Sequence, residues 1–258
     1  MYSIIYFITM LKAERRNYIM NKIAEEQRVS TVELAELLAV SEDTIRRDLN
    51  KLHERGLLEK VYGGAIPIAD KPRNVFDIVI SNETQKNEIG HKALSLLHDG
   101  QVIIMSGGTT NLVFSKLIPP LLSATIYTYS LPIAMQLSQY PNIDLIFIGG
   151  KIQKNAMVTI GMDVLKVLSK IKADICFMGV SSISAKQGLT ETGYEVSIVK
   201  KAMLEASDKV ILMLTAEKLN RKMPHVVCEI SSLNTMITDL NPEDEVLEEY
   251  RKAGVTIL

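Results

Sequence analysis

Cysteine is scarce in this chain: Cys176 and Cys228 are the only two in 258 residues. Two thiols so far apart in sequence outline no disulfide framework, which fits a reducing compartment such as the cytoplasm. No apolar run approaches the roughly 20 residues of a membrane span. The four histidines (His53, His91, His98 and His225) and the two cysteines show no ligand spacing, so neither a metal site nor a cofactor is expected. Charge of one sign is lacking too. With 29 Lys+Arg against 30 Asp+Glu the net charge is −1, which argues against a general polyanion binder. No internal repeat or low-complexity tract is evident. What remains is an ordinary globular composition, 47% hydrophobic and 23% charged. The length suits a small module plus one larger domain.

The most structured stretch is VSTVELAELLAVSEDTIRRDLNKLHERGLLEKVYGG, residues 29–64. Its pattern predicts two short helices with a tight turn between them. Ser30 is placed to cap the first, whose apolar positions are Val32, Leu34, Ala35, Leu37 and Leu38. Ala39 and Val40 make the turn. Ser41 caps the second helix, and Asp43 in its first turn complements the unpaired N–H groups there. Ile45, Leu49 and Leu52 fall at i, i+4 and i+7, so they form one buried stripe. Arg46 with Asn50, and Arg47 with Lys51, are i,i+4 pairs on the other side. Gly56 stops the helix. Residues 57–61 read as a strand, and Gly63-Gly64 as the end of a small wing.

A winged helix-turn-helix lays its second helix in the major groove of DNA, with N-terminal side chains reaching base edges. Here those are Ser41, Glu42, Thr44, Arg46, Arg47 and Lys51, with Lys60 on the wing. Arginine addresses guanine O6 and N7 with two donors, or holds a phosphate. Residues 10–66 carry ten Lys/Arg and ten Asp/Glu. The module is therefore neutral overall, with its basic residues clustered on the second helix and wing. Non-specific affinity is expected to be modest and salt-sensitive.

Leu34-Ala35, Val40-Ser41, the run TIRRDL at 44–49, Leu52, Gly56 and Gly63-Gly64-Ala65 together resemble the DeoR-type helix-turn-helix. Residues 1–9 are apolar, but the basic residues Lys12, Arg15 and Arg16 follow that run, the reverse of a signal peptide. Met10 with LKAERR is similar to the usual beginning of a DeoR-type chain, which implies Met10 as the start; a short membrane-associating tail is the alternative. The expected organisation is a DNA-binding module at 10–66, a Pro-punctuated linker at 67–74, and an α/β domain at 75–258.

In that domain short, continuously apolar strands alternate with helical segments. Strands are expected at 102–105, 125–129, 144–148, 175–178, 210–214 and 236–238. Helices are expected at 85–97, 110–117, 132–139, 164–169, 194–206 and 244–252. Continuous apolar runs imply burial on both faces, hence a mostly parallel sheet with right-handed crossovers. Ligands of such sheets bind beyond the carboxyl ends of the strands. The candidate residues there are Ser106-Gly107-Gly108-Thr109-Thr110, Ser130, Gly150 and Lys218, with Glu195 at a helix start. Glycines, hydroxyls, helix N–H groups and a lysine suit a phosphate.

The same stretch, from about Lys86 to Asp239, resembles the DeoR-type effector domain, which is similar to the fold of ribose-5-phosphate isomerase and glucosamine-6-phosphate deaminase. The resemblance implies a repressor of carbohydrate genes, controlled by a phosphorylated sugar and assembled as a homo-oligomer. Departures stand at Ser106, where the family usually has Asp, at Tyr129, where it has Asn, and at Ser181-Ser182. The Asp of its Ala-Asp-Ser-Ser-Lys pattern is also missing before Lys218. These changes point to a retained phosphate subsite with altered sugar recognition, and Tyr129 is large enough to fill part of the pocket. Two alternatives stay open: a sugar-phosphate isomerase or deaminase, with Glu195 and Glu217 the nearby acids, and a DNA-binding protein whose α/β domain only oligomerises. Lys86 reads more readily as a solvated surface group than as a ligand.

Overall fold

The computed structural model describes residues 12–26, 28–55, 57–67, 80 and 82–258. The helix stop expected at Gly56, the linker after Pro67 and the question of Met1 against Met10 lie outside those residues. The chain divides into two compact units, 1–72 and 73–258.

The first unit runs α1 (Lys12–Glu26), β1 (Val29–Ser30), α2 (Thr31–Leu37), α3 (Glu42–Glu54), β2 (Glu59–Val61) and β3 (Gly64–Ile66). Ile19 and Ile23 of α1 pack on Leu34 and Leu38, on the α3 stripe Ile45, Leu49 and Leu52, and on Leu58 and Ala65. Ala39 turns the chain between α2 and α3 with φ of +50°. The Ser41 hydroxyl accepts from the Thr44 N–H at 3.2 Å, so the expected cap is formed. Ser41→Ala should cost the module about 1 kcal/mol, read as a lower midpoint in denaturant unfolding.

Other expectations fail for local reasons. Ser30 makes no side-chain cap. It belongs to β1, which pairs antiparallel with β3, Val29 opposite Ala65 and Ser30 opposite Gly64. The three strands lie in the order β1-β3-β2. A Cβ on Gly64 would sit 1.9 Å from the Val29 carbonyl oxygen, so the wing closes on β1 only with glycine there. Val32 and Leu37 are 49% and 44% exposed, because the seven-residue α2 turns only Thr31, Leu34 and Ala35 inward, with Leu38 just after it. Residues 57–58 precede the strand rather than belong to it: the Leu57 N–H still bonds to Leu52 O at 2.9 Å.

The second unit contains α4 (Glu83–Leu94), β4 (Val102–Met105), α5 (Thr109–Leu117), β5 (Ala124–Thr128), α6 (Leu131–Leu137), β6 (Ile143–Phe147), β7 (Lys151–Gln153) and β8 (Val158–Ile160). It continues with α7 (Met162–Leu168), β9 (Ala173–Gly179), β10 (Ser182–Ser184), β11 (Gly188–Glu191), α8 (Tyr194–Glu205) and β12 (Ser207–Met213). The last elements are β13 (His225–Cys228), β14 (Thr235–Ile237), α9 (Glu248–Lys252) and β15 (Thr256–Ile257). Seven strands form one sheet in the order β15-β14-β12-β9-β4-β5-β6, and every neighbouring pair is parallel.

Alternate residues of the central strands feed two cores. Ile103, Met105, Ile175, Phe177 and Ile211 meet α4, α5 and α6 through Ile89, Phe114, Ile133 and Leu137. Ile104, Cys176, Met178 and Leu212 meet α7, α8 and α9 through Val164, Val199, Met203 and Tyr250. Burial of both faces is why these strands read as unbroken apolar runs. Two small antiparallel additions went unseen in the sequence: the β7-β8 hairpin and the β10-β11-β13 sheet. Their strands are three or four residues long, too short to set up a period.

Candidate functional site

The first candidate surface is α3 with its wing. Ser41, Glu42, Thr44, Arg46, Arg47 and Lys51 line it in sequence order, with the Ser41 and Thr44 hydroxyls 2.9 Å apart. Both arginines lie on the outer side of the helix, as their spacing implies. Each turns back four residues, Arg46 to Glu42 at 2.8 Å and Arg47 to Asp43 at 2.6 Å. The acidic first turn is the nearest source of opposite charge, and such exposed pairs contribute only a few tenths of a kcal/mol, so both guanidinium groups are readily released to another acceptor. Lys60 reaches across from β2 and donates to the Asn50 side-chain oxygen, which ties the wing to the helix.

One residue of the TIRRDL run escaped the sequence reading. Asp48 faces inward, 2% exposed. Its two carboxylate oxygens accept from Arg15 Nε at 2.6 Å and Arg16 Nε at 2.7 Å. The pairing fixes α1 against α3. The available signal was an acid one turn from Leu52 and next to Leu49, on the buried side of an otherwise charged helix.

The second candidate site is the carboxyl edge of the sheet. Gly108, with φ of +108°, precedes α5, and Thr109 and Thr110 form its first turn. Ser106 is fully buried. Its hydroxyl accepts from Asn111 Nδ2 at 3.0 Å and from the Gly179 N–H at 2.9 Å. It therefore staples β4 to β9 and is directed into the protein rather than toward a ligand. Ser130 is buried beside Gly107, its Oγ 3.7 Å from where a Gly107 Cβ would stand. Gly150 is exposed in the turn before β7, and Glu195 is exposed at the start of α8, 3.8 Å from Lys151. These two sit by the β7-β8 hairpin.

Lys218 donates to Val180 O at 2.9 Å, just past the end of β9. Burial pushes its ammonium down to about 8, and the charges of Lys200 and Lys86 add to that depression against Glu217 and Glu191. Lys86 is 2% exposed, contrary to the solvated reading of the sequence. Burial lowers it as well, opposed by Glu217 and Glu83. Lys200 donates to Gly179 O at 2.7 Å and to the Glu191 carboxylate. The charges of the three lysines thus act on one another past the end of β9, where Gly179 lies against the Gly107 carbonyl.

Glu191 is the carboxylate the sequence reading missed. Burial alone would raise it, but the Lys200 ammonium and hydrogen bonds from Lys200, the Ser181 hydroxyl and the Ser181 N–H hold it below the usual range. Its position after the buried Leu189 and Thr190 was the one hint. Tyr129 is buried with its hydroxyl near the Gly107 backbone; burial, then the Glu191 charge, raise its phenol.

The DeoR-like helix-turn-helix domain model matches residues 15–71, and the DeoR C terminal sensor domain model matches residues 81–240. The chain belongs to the DeoR family. It is a DNA-binding transcriptional regulator, and its sensor domain is of a kind that binds a small molecule. Among its relatives, the DeoR-family chain is 30% identical to the transcriptional repressor GlcR of Bacillus subtilis, over 96% of each chain. It is 27% identical to the transcriptional regulator GolR of Listeria innocua, over 96% of this chain and 98% of GolR.

Solved structures overlap this DeoR-family chain in part. Ribose 5-phosphate isomerase A from Methanocaldococcus jannaschii is 21% identical with a TM-score of 0.41, over 54% of this chain and 55% of the isomerase. Among the described residues, no group of three or more His, Cys, Asp or Glu is arranged to hold a metal, and no helix is long and apolar enough to cross a membrane.

Proposed function

We propose that this regulator represses carbohydrate genes from the cytoplasm and that a small phosphorylated sugar at the carboxyl edge of the sheet controls its grip on DNA. Residues 10–66 bind the operator through Ser41, Glu42, Thr44, Arg46, Arg47, Lys51 and Lys60. Residues 67–74 link them to a sensing and oligomerising domain at 75–258. Helix-turn-helix modules read paired half-sites, so at least a homodimer is implied. Relatives named as repressors support the sign of control.

The observation that carries the effector reading is the gathering of Lys86, Lys200 and Lys218 past the end of β9, where Gly179 adjoins Gly107 at the head of the Gly108-Thr109-Thr110 turn. Three cations, offset by Glu191, Glu217 and Glu83, and the first-turn N–H groups of α5 make a desolvated corner rich in donors that suits a phosphate dianion. Ser130 borders it. Ser106 acts from behind, and Gly150 and Glu195 act from the hairpin side. Tyr129 and Ser106 stand at the positions where the family has Asn and Asp, and both are buried, so the sugar end is recognised differently from the family pattern. The regulatory reading is favoured over an enzymatic one because Glu191 is already spent on Lys200 and Ser181, and Glu217 accepts from Asn82 and Thr215, so neither is well placed to serve as a free base.

Calorimetric titration with phosphorylated aldoses, ketoses and amino sugars tests this, with turnover assays on the same compounds. Lys218→Met should weaken binding roughly 10- to 100-fold, the scale of a lost charged hydrogen bond. Affinity should fall as pH rises past about 8, where Lys218 loses its proton. The reading fails if none of these sugars binds and Thr109→Ala leaves regulation intact. For the DNA face, Arg46→Ala or Arg47→Ala at a base-reading position should cost about 1–3 kcal/mol and relax specificity there, whereas at a phosphate it should weaken all sequences alike. Competition binding with operator variants separates the two.

A further inference from the structure

Around Asp48 the charges do not balance, and from that imbalance we infer a second DNA contact: Arg16, held by Asp48, binds a backbone phosphate beside the groove that α3 enters. The inference rests on the groove reading of α3. Asp48 has one negative charge and two cationic neighbours, and each of its oxygens is already taken by an Nε. Among the described residues no second carboxylate pairs with either guanidinium. Arg15 keeps 10% of its side chain exposed and Arg16 keeps 20%. A surplus cation in so dry a place is costly unless an anion completes the set. A guanidinium carries five N–H donors, and the one bond from Arg16 to Asp48 leaves most of them for that anion.

The partner is the DNA that the module binds. Duplex DNA presents phosphates along both walls of the groove, and these contacts fix register without reading sequence. Asp48 follows Arg47 directly on α3, so the carboxylate that anchors Arg16 moves with the helix that meets the bases. Arg16 is then a phosphate contact, and Asp48 is a positioning residue that acts through it.

Because the contact is blind to sequence, the probe is a mixed-sequence duplex of about 25 base pairs, bound to the full-length protein across about 50–200 mM KCl. Arg16→Gln should weaken binding at every salt concentration and make the slope of log K against log[salt] shallower by about 1. Arg16→Lys, which keeps the charge, should keep the wild-type slope. In wild-type protein the duplex should also protect Arg16 from phenylglyoxal, a readout that needs no variant to fold. Wild-type protein that fails to bind the duplex overturns the groove reading and this inference with it. Wild-type binding with an unchanged slope in Arg16→Gln, or with Arg16 labelled equally with and without duplex, overturns this inference alone.

Discussion

Asp48→Ala should unfold or nearly unfold the N-terminal module while leaving the α/β domain folded. The change removes the carboxylate shared by Arg15 and Arg16 and strands two largely buried guanidinium groups. Breaking a buried ion pair by deleting one partner costs about 3–5 kcal/mol. A small module has little more than that to lose, since single cores of this size rarely supply more than about 3–5 kcal/mol. Unfolding monitored by calorimetry should show the transition of the α/β domain kept and that of the module lost or shifted far down. Duplex binding should disappear with it. A loss below about 1 kcal/mol would mean that the triad is effectively solvated, as exposed pairs are.

The second large effect is expected at Glu191, in the other unit. Glu191→Ala leaves Lys200 buried, with only the Gly179 carbonyl and the dipoles around it as partners. The expected cost is again about 3–5 kcal/mol, here to the domain that holds the lysine cluster. Glu191→Leu combined with Lys200→Met should recover most of that stability, because an apolar pair of similar volume is often neutral or better than a buried ion pair. The double variant should still lose response to phosphorylated sugars, which separates folding from sensing.

The acid dependence has a definite sign. The Glu191 carboxyl is held below its ordinary value of 4.5. Its contribution is therefore fully present above about 4.5 and is lost as pH falls through the lower folded value. Glu191→Gln should flatten that part of the stability profile. A variant as acid-sensitive as wild type over the same window would show that other carboxylates govern the transition.

Much of the fold was legible because it is written at short range. The Ser41 cap, the Ile45, Leu49 and Leu52 stripe and the paired glycines of the wing each depend on residues within one or two turns of one another. The parallel sheet was legible from apolar runs alternating with helical periods, since a strand covered on both faces has no polar side to show. The errors are equally physical. Ser30 looked like a cap until β1 paired with β3 and made it a strand residue. Lys86 looked like a surface lysine because a helix period does not say that Glu217, 131 positions later, lies close enough to act on its charge.

By itself the sequence determined which segments are helical, which stripes are apolar, that a winged helix-turn-helix precedes an α/β domain, and which loops end at the sheet edge. Only the tertiary structure decided which charges meet: Asp48 with Arg15 and Arg16 over 33 and 32 positions, and Lys200 with Glu191 beneath Gly179. The same holds for Ser106, whose hydroxyl turned inward once β4 and β9 became neighbours. Apolar burial and backbone caps are set by spacing along the chain, so they are visible in it. A charge takes whichever opposite charge folding brings within reach, and no periodicity records that choice.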